Sequence, residues 1–239
     1  MVEKMKHDVV YFVKDTPLNP ELVYSLRSLE KNWSYNDVWF CGGCPERLKP
    51  DHHMKIKQIG FNKWEKVRYS IHLVCLNDQI SDDFWLFNDD FFILKKSQDY
   101  KPQYNGRIDE YIELIKARHN GSHSEYTLRL LGTIRALEEA GCSTLNYEIH
   151  KPMLINKGKA LEVLEKFNGV GGFRSLYGNY WKIGGIDRHD MKIKQMSYGR
   201  MDLVENEWDY LSTTDNSFQI GEVGRFIRDN FSERSRFEV

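Results

Sequence analysis

The sequence has no apolar run long enough to span a bilayer, no excess of either charge, and few cysteines; each shortage excludes something. Without an apolar stretch near 20 residues, no transmembrane helix is expected. Lys and Arg total 34 against 35 Asp and Glu, a formal charge of −1. A broad basic field for sequence-independent nucleic-acid binding is therefore not indicated, although a local patch stays open. The opening MVEKMKHDVVYFV has too short an apolar run, and no small-residue cleavage site, for a secretory signal. There is no internal repeat, no low-complexity run and no linker, so the 239 residues suit one domain.

Cysteine is scarce. The four are Cys41, Cys44, Cys75 and Cys142, and only Cys41 and Cys44 form a close pair. A zinc knuckle needs a second pair, and a redox pair should open a helix, whereas Gly42, Gly43 and Pro45 indicate a loop. Reduced thiols at a strand end are the expectation, consistent with a cytoplasmic protein.

What is present is a strand–helix alternation. Asp8–Val13, Val38–Cys41 and Phe84–Phe87 are short, continuous apolar runs of the kind buried in parallel sheets. Ile56–Ile59 reads as another short strand. Asn19-Pro20-Glu21 is a helix start, with Leu22, Leu26 and Leu29 on one face up to Asn32. Trp64, Val67, Ile71, Val74 and Cys75 follow helical spacing. Such alternation predicts an α/β sheet with right-handed crossovers. Further on, helices are expected from Ile108 to Asn120, after Ser124 to Gly141, over Lys157–Phe167 and over Glu222–Phe231. Leu145–Glu148 and Met153–Ile155 read as strands, and Arg174–Ile186 as irregular.

The chemistry concentrates in Phe87-Asn88-Asp89-Asp90-Phe91-Phe92, where an apolar strand runs into two carboxylates. Ligands of open α/β sheets bind at the carboxyl ends of strands. Two adjacent carboxylates repel, and a hard cation such as Mn²⁺ or Mg²⁺ resolves the conflict; a polar turn is the plainer alternative. His150, between two expected strands and two residues before Pro152, is a possible third ligand, or a structural histidine. Tyr177, Tyr180 and Trp181, with Asn179 and Asp187, have the composition of a carbohydrate- or nucleobase-stacking surface; a loop packed on the core explains them equally. Ser212–Ser217 could close the site or form an ordinary turn. Arg27, Lys63, Lys66 and Arg68 lie on helices, where a solvated or packed face also accounts for them.

The acidic motif resembles that of GT-A-type nucleotide-sugar glycosyltransferases, whose carboxylates hold a divalent ion on the donor diphosphate. Asn88 stands where that motif usually has an aspartate. The wider pattern is closer to Stealth-type sugar-phosphate transferases and related capsule and phage-type proteins. Asp8-Val9-Val10-Tyr11 resembles their opening strand, Tyr24-Ser25-Leu26-Arg27-Ser28-Leu29 their helix, and Phe87–Phe92 their acidic signature. The likeness covers residues 7–95 well and the remainder weakly.

The resemblance implies a GT-A-like, Rossmann-like, mainly parallel α/β sheet flanked by helices, with an irregular α+β carboxy-terminal half. Residues 1–95 would hold the nucleotide sugar and metal, and 96–239 the acceptor. It further implies Mn²⁺ or Mg²⁺ on Asp89, Asp90 and His150, donor contacts from Arg27, Lys63, Arg68 and Asn88, and catalytic duty for Asp90, His150 and Asp187. The expected activity moves a sugar from a nucleotide-diphosphate donor, such as a UDP-sugar, to a hydroxyl of a glycan or a modified DNA base. Sugar-1-phosphate transfer and non-catalytic sugar-nucleotide binding are the alternatives. A metal-dependent phosphoesterase ranks last, because no dense His/Asp cluster is present for two metals.

Overall fold

The strands at the centre are apolar on both faces, and the alternation of side chains decides what each face meets. The computed structural model describes residues 6–57, 62–96 and 100–239. In chain order the elements are β1 (Asp8–Val13), α1 (Pro20–Asn32), β2 (Val38–Gly42), β3 (His52–Met54), α2 (Lys63–Cys75), β4 (Asp83–Asn88), β5 (Phe91–Ile93) and β6 (Gln103–Tyr104). They continue with α3 (Ile108–Arg118), α4 (Glu125–Glu139), β7 (Met153–Asn156), α5 (Lys157–Lys166), α6 (Phe173–Tyr180), β8 (Ile186–Asp187) and β9 (Lys192–Ile193). The chain ends with α7 (Met201–Asn206), β10 (Tyr210–Thr213), α8 (Asp215–Ile220) and α9 (Glu222–Asn230).

The main sheet has the order β3-β2-β1-β4-β7. Its first four strands are parallel, and β7 joins β4 antiparallel. Val10, Phe84 and Leu86 point to one face, beside Ile71, Val74, Leu130 and Leu176. Val9, Tyr11, Val13, Trp85 and Phe87 point to the other, beside Leu22, Leu26 and Leu29 of α1. Each such fully buried side chain contributes about 1.5–3 kcal/mol, which holds β4 in the interior. A second sheet, β5-β10-β9, continues from the end of β4 and packs on Phe218, Val223 and Ile227. The mainly parallel, helix-flanked architecture agrees with the sequence reading.

Helix starts are set locally. Asn19 Oδ1 accepts the Leu22 N–H at 3.0 Å, with Pro20 as the first helical residue. Asn62 caps α2 and Ser124 caps α4 in the same way.

Three expectations are corrected. The third parallel strand is His52–Met54, ahead of Ile56–Ile59, whose last two positions lie outside the described residues. It is the sheet edge, where polar residues are tolerated: His52 stacks on Trp39 with ring centroids 4.2 Å apart, and the His53 ring bonds the Gly42 carbonyl. Leu145–Glu148 is not a strand, apart from an isolated bridge between Arg107 and Leu145. The Tyr147 N–H donates to Ser175 Oγ, the Leu145 N–H donates to Asn179 Oδ1, and the Leu145 carbonyl accepts from Asn179 Nδ2, so α6 supplies partners that a ladder would otherwise give. Arg174–Ile186 opens as helix, not as irregular chain, because Glu148 satisfies an amide in the first turn of α6.

Among the described residues, no helix is long and apolar enough to cross a membrane.

Candidate active site

The β4 strand ends at Asn88, half-buried and registered against Phe12 of β1. The chain then turns through Asp89 and Asp90 into β5, which pairs with β10. This turn brings four elements together. Asn19 Nδ2 donates to Asp89 Oδ2 at 2.7 Å, so one side chain both caps α1 and fixes Asp89. Asp90 Oδ2 accepts from Lys192 Nζ at 2.7 Å and from Ser212 Oγ at 2.9 Å. Ser212 and Lys192 are register partners across β10 and β9, which is why both reach one oxygen. From the first turn of α1, Glu21 Oε1 accepts from the Thr213 hydroxyl at 2.6 Å.

The site is therefore acidic and partly dry. Burial raises the Asp89 carboxyl above its ordinary value, opposed by Asn19 and reinforced by the Asp90 charge. Burial likewise pushes Glu21 up to about 7, with the Asp90, Asp215 and Asp89 charges adding to the rise. Lys14, which follows β1, offsets part of the charge on Asp89. Its backbone is held close to Gly43: a Cβ on Gly43 would lie 2.3 Å from the Lys14 carbonyl oxygen.

Glu21 yields a pH prediction. A carboxyl raised by folding keeps its proton in the native state longer than in the unfolded chain. Its share of stability is intact below the unfolded value near 4.5 and is lost as pH rises towards about 7. Glu21→Gln should therefore stabilise the fold at pH 8 by on the order of 1 kcal/mol after allowing for solvent screening, read as a higher melting temperature. Near pH 4 the two proteins should melt together. A thermal scan showing an equal difference at both pH values would contradict this origin.

His150 does not meet the carboxylates as expected of a metal ligand. Its Nδ1 lies 2.8 Å from Asp190 Oδ2, and its backbone N–H donates to Asp190 Oδ1 at 2.9 Å. Although burial raises Asp190, the bonds and charge of His150 hold its carboxyl below the usual range. The His150 ring stands edge-on to Phe91, centroids 6.4 Å apart, and Phe91 directly follows Asp90. The dyad and the acidic turn are thus joined through one aromatic ring. Arg174 covers the same ring, its Cζ 5.5 Å from the centroid, and its Nη2 is buried without a partner among the described residues.

The remaining expected site residues lie apart from the acidic turn's hydrogen bonds. Arg27 pairs bidentately with Glu238, at 2.8 and 2.7 Å, and its Nη1 donates to the Phe231 and Ser232 carbonyls. All three of its nitrogens are thus taken by the carboxy-terminal tail, not turned to a diphosphate. Arg68 donates to the Val170 and Leu164 carbonyls, closing the last turn of α5. Lys63 is exposed at the start of α2. Asp187 is exposed, and its Oδ1 accepts the Gly106 N–H. Tyr177 and Asn179 are buried, Tyr180 bonds Glu162, and Trp181 Nε1 donates to the Lys159 carbonyl, so the aromatic segment packs on the fold. All four cysteines are free, and burial pushes the Cys41 thiol up to about 12, far from a reactive thiolate.

As they are arranged, these residues do not fit a divalent cation. Mg²⁺ and Mn²⁺ need several oxygens converging on one point. Here Asp89 is turned to Asn19, Glu21 to Thr213, Asp90 to Lys192 and Ser212, and His150 to Asp190. Among the described residues, no group of three or more His, Cys, Asp or Glu is placed to hold a metal.

No model of a known protein family matches the chain, and no curated protein does. Among solved structures, the apo form of the glycosyltransferase GlyE from Streptococcus pneumoniae TIGR4 aligns at 14% identity over 96% of this chain, with a TM-score of 0.45. The chain spans 61% of that structure's length. The galactosyltransferase LgtC, solved with donor and acceptor sugar analogs, aligns at 10% identity over 95% of this chain and 96% of its own, with a TM-score of 0.47. Mouse xyloside xylosyltransferase 1 aligns at 9% identity over 89% of this chain and 98% of its own, with a TM-score of 0.39.

Of the residues at this candidate site, the sequence alone singles out Asp89, Asp90 and His150, with Ser212–Ser217 as either a closing segment or an ordinary turn. It missed Glu21, Asp190 and Lys192. Asp190-Met191-Lys192-Ile193 alternates polar and apolar residues, which is a strand signal that could have drawn attention to the two charges. Glu21 gave no signal, because an acid in the first helical turn is commonplace.

Proposed function

We propose that the chain is a glycosyltransferase that moves a sugar from a nucleotide-diphosphate sugar, a UDP-sugar among the candidates, to a hydroxyl acceptor. The observation that carries this reading is the Asp89-Asp90 turn at the carboxyl end of an interior parallel strand, where donors bind in sheets of this kind. The acidic signature of the sequence supports the same reading. In it, Asp89 and Glu21 accept hydrogen bonds from donor hydroxyls. His150, oriented by Asp190, takes the proton of the acceptor hydroxyl at Nε2 as its oxygen bonds to the sugar carbon. The bond from that carbon to the diphosphate oxygen breaks, and the diphosphate leaves with the electron pair. The acceptor is a glycan hydroxyl, or a hydroxyl on a modified DNA base.

A second reading, sugar-1-phosphate transfer, is favoured by the Phe87-Asn88-Asp89-Asp90 pattern; the acceptor then attacks the β-phosphorus. The first reaction releases a nucleoside diphosphate and the second a monophosphate, so chromatography of the released nucleotide separates them. A panel of UDP-, GDP- and ADP-sugars, followed by thermal shift and nucleotide release, tests the whole. A true donor at a hundredfold excess over its Kd should stabilise the fold by about 2.7 kcal/mol. Stabilisation without release in the presence of acceptors would indicate a binding protein. A panel that neither stabilises nor turns over would refute the proposal.

A further inference from the structure

Lys192 is the residue that the expected metal site did not allow for. Its ammonium sits 2.7 Å from Asp90 Oδ2, with the two side chains only 17% and 12% exposed. The placement is built rather than incidental. The Lys192–Ser212 register sets both donors on one carboxylate oxygen. The β9 backbone is pinned on each side, since the Ser212 N–H donates to the Met191 carbonyl and Ser217 Oγ donates to the Ile193 carbonyl. An ammonium has three N–H groups. Asp90 takes one, and no other acceptor for Nζ is found among the described residues.

We propose that Lys192 is the resident cation of this site: its ammonium holds the position on Asp90 that a divalent ion would fill, and its remaining N–H groups receive the anionic part of the ligand. The donor half of this statement rests on the glycosyltransferase reading; the cation half does not. A divalent ion approaching Asp90 meets a like charge already on the carboxylate. Without Lys192, the Asp89, Asp90 and Glu21 carboxylates would face one another with less to balance them, and that is the condition under which a hard cation binds. The lysine thus explains both why the adjacent acids are tolerated and why their oxygens do not converge.

The test uses the full chain and two probes. Titration with Mn²⁺, followed by the electron paramagnetic resonance of the free ion, should show no micromolar site in the natural protein. Lys192→Met should bind Mn²⁺ at least about tenfold more tightly, because a carboxylate is released from its charge-assisted bond. Lys192→Arg, which keeps the charge, should exclude the ion as the natural protein does. Stoichiometric Mn²⁺ binding at micromolar concentration with Lys192 in place would overturn the proposal. Calorimetry with UDP, GDP, ADP and CDP forms the second arm. One of them should bind in EDTA, and Lys192→Met should weaken it by about tenfold or more. Binding that appears only with Mn²⁺ would equally overturn the proposal. A chain that binds none of the four in either buffer fails the glycosyltransferase reading, and the Mn²⁺ arm alone then decides the role of Lys192.

Discussion

Replacing His150 with alanine should lower the transfer rate by about 10²–10⁴-fold while leaving donor affinity almost unchanged. The reason is the way the ring is held. Asp190 grips His150 twice, through Nδ1 at 2.8 Å and through the backbone N–H at 2.9 Å. A carboxylate on Nδ1 fixes the tautomer that leaves the Nε2 lone pair free to accept a proton. The His150 side chain is 29% exposed, enough for an acceptor to reach it. Asp190→Asn should reproduce most of the loss, because an amide can bond Nδ1 in either sense and no longer stabilises the imidazolium. Initial rates with saturating donor, beside donor binding by calorimetry, separate this role from a structural one. A purely structural clamp between His150 and β9 would show the reverse pattern, a lowered melting temperature with the rate per folded molecule preserved. Because Asp190 Oδ1 bonds the backbone of residue 150, alanine retains half of the clamp, and the fold should survive the substitution.

Much of the first hundred residues was legible because burial on both sides leaves a strong mark. Strand β4 could hardly be misread: Phe84 to Phe87 are all apolar, and the polar residues begin where the sheet ends. The same holds for β1, and for α1 with its Asn19-Pro20 start. What failed was whatever depends on partners distant in sequence. Leu145–Glu148 has a strand's composition, yet its backbone groups are met by Ser175 and its neighbours in α6, some 28 positions away. Arg174–Ile186 reads as irregular because it is rich in Gly, Tyr and Trp; the helix over Phe173–Tyr180 has its first turn stabilised by Glu148 from outside.

The candidate site divides along the same line. Asp89 and Asp90 were visible because adjacent acids after an apolar strand are out of place unless they have a task. Their partners were not, since a lysine 102 positions away announces nothing until β9 and β10 fix its register against Ser212. Arg27 shows the converse error. The family resemblance directs its guanidinium to a diphosphate, but Glu238, 211 positions later, already occupies it. Residue type indicated the chemistry, while topology decided which charges were already satisfied.

The largest loss of stability is expected at Gly224, where Gly224→Ala should cost at least about 3 kcal/mol or prevent folding altogether. Gly224 lies in α9, buried against α8. A Cβ there would fall 1.7 Å from the Phe218 carbonyl oxygen and 2.4 Å from its carbon. These are backbone atoms, so no rotamer change can relieve the overlap, and the two helices would have to separate. Separation would be felt at the site. Phe218 stacks on Phe92 with centroids 5.9 Å apart, Val223 and Ile227 complete the same cluster, and only the capping Thr214 separates α8 from the Thr213 that bonds Glu21. In an exposed helix the same change would stabilise, because alanine forms helix better than glycine by about 1 kcal/mol. The sign of the effect therefore tests the packing directly. Urea titration of Gly224→Ala beside Gly132→Ala, whose added Cβ meets nothing within 4 Å on α4, should show a large loss for the first and a small gain for the second. Equal midpoints for the two variants would mean that α8 and α9 do not cross as closely as the fold requires.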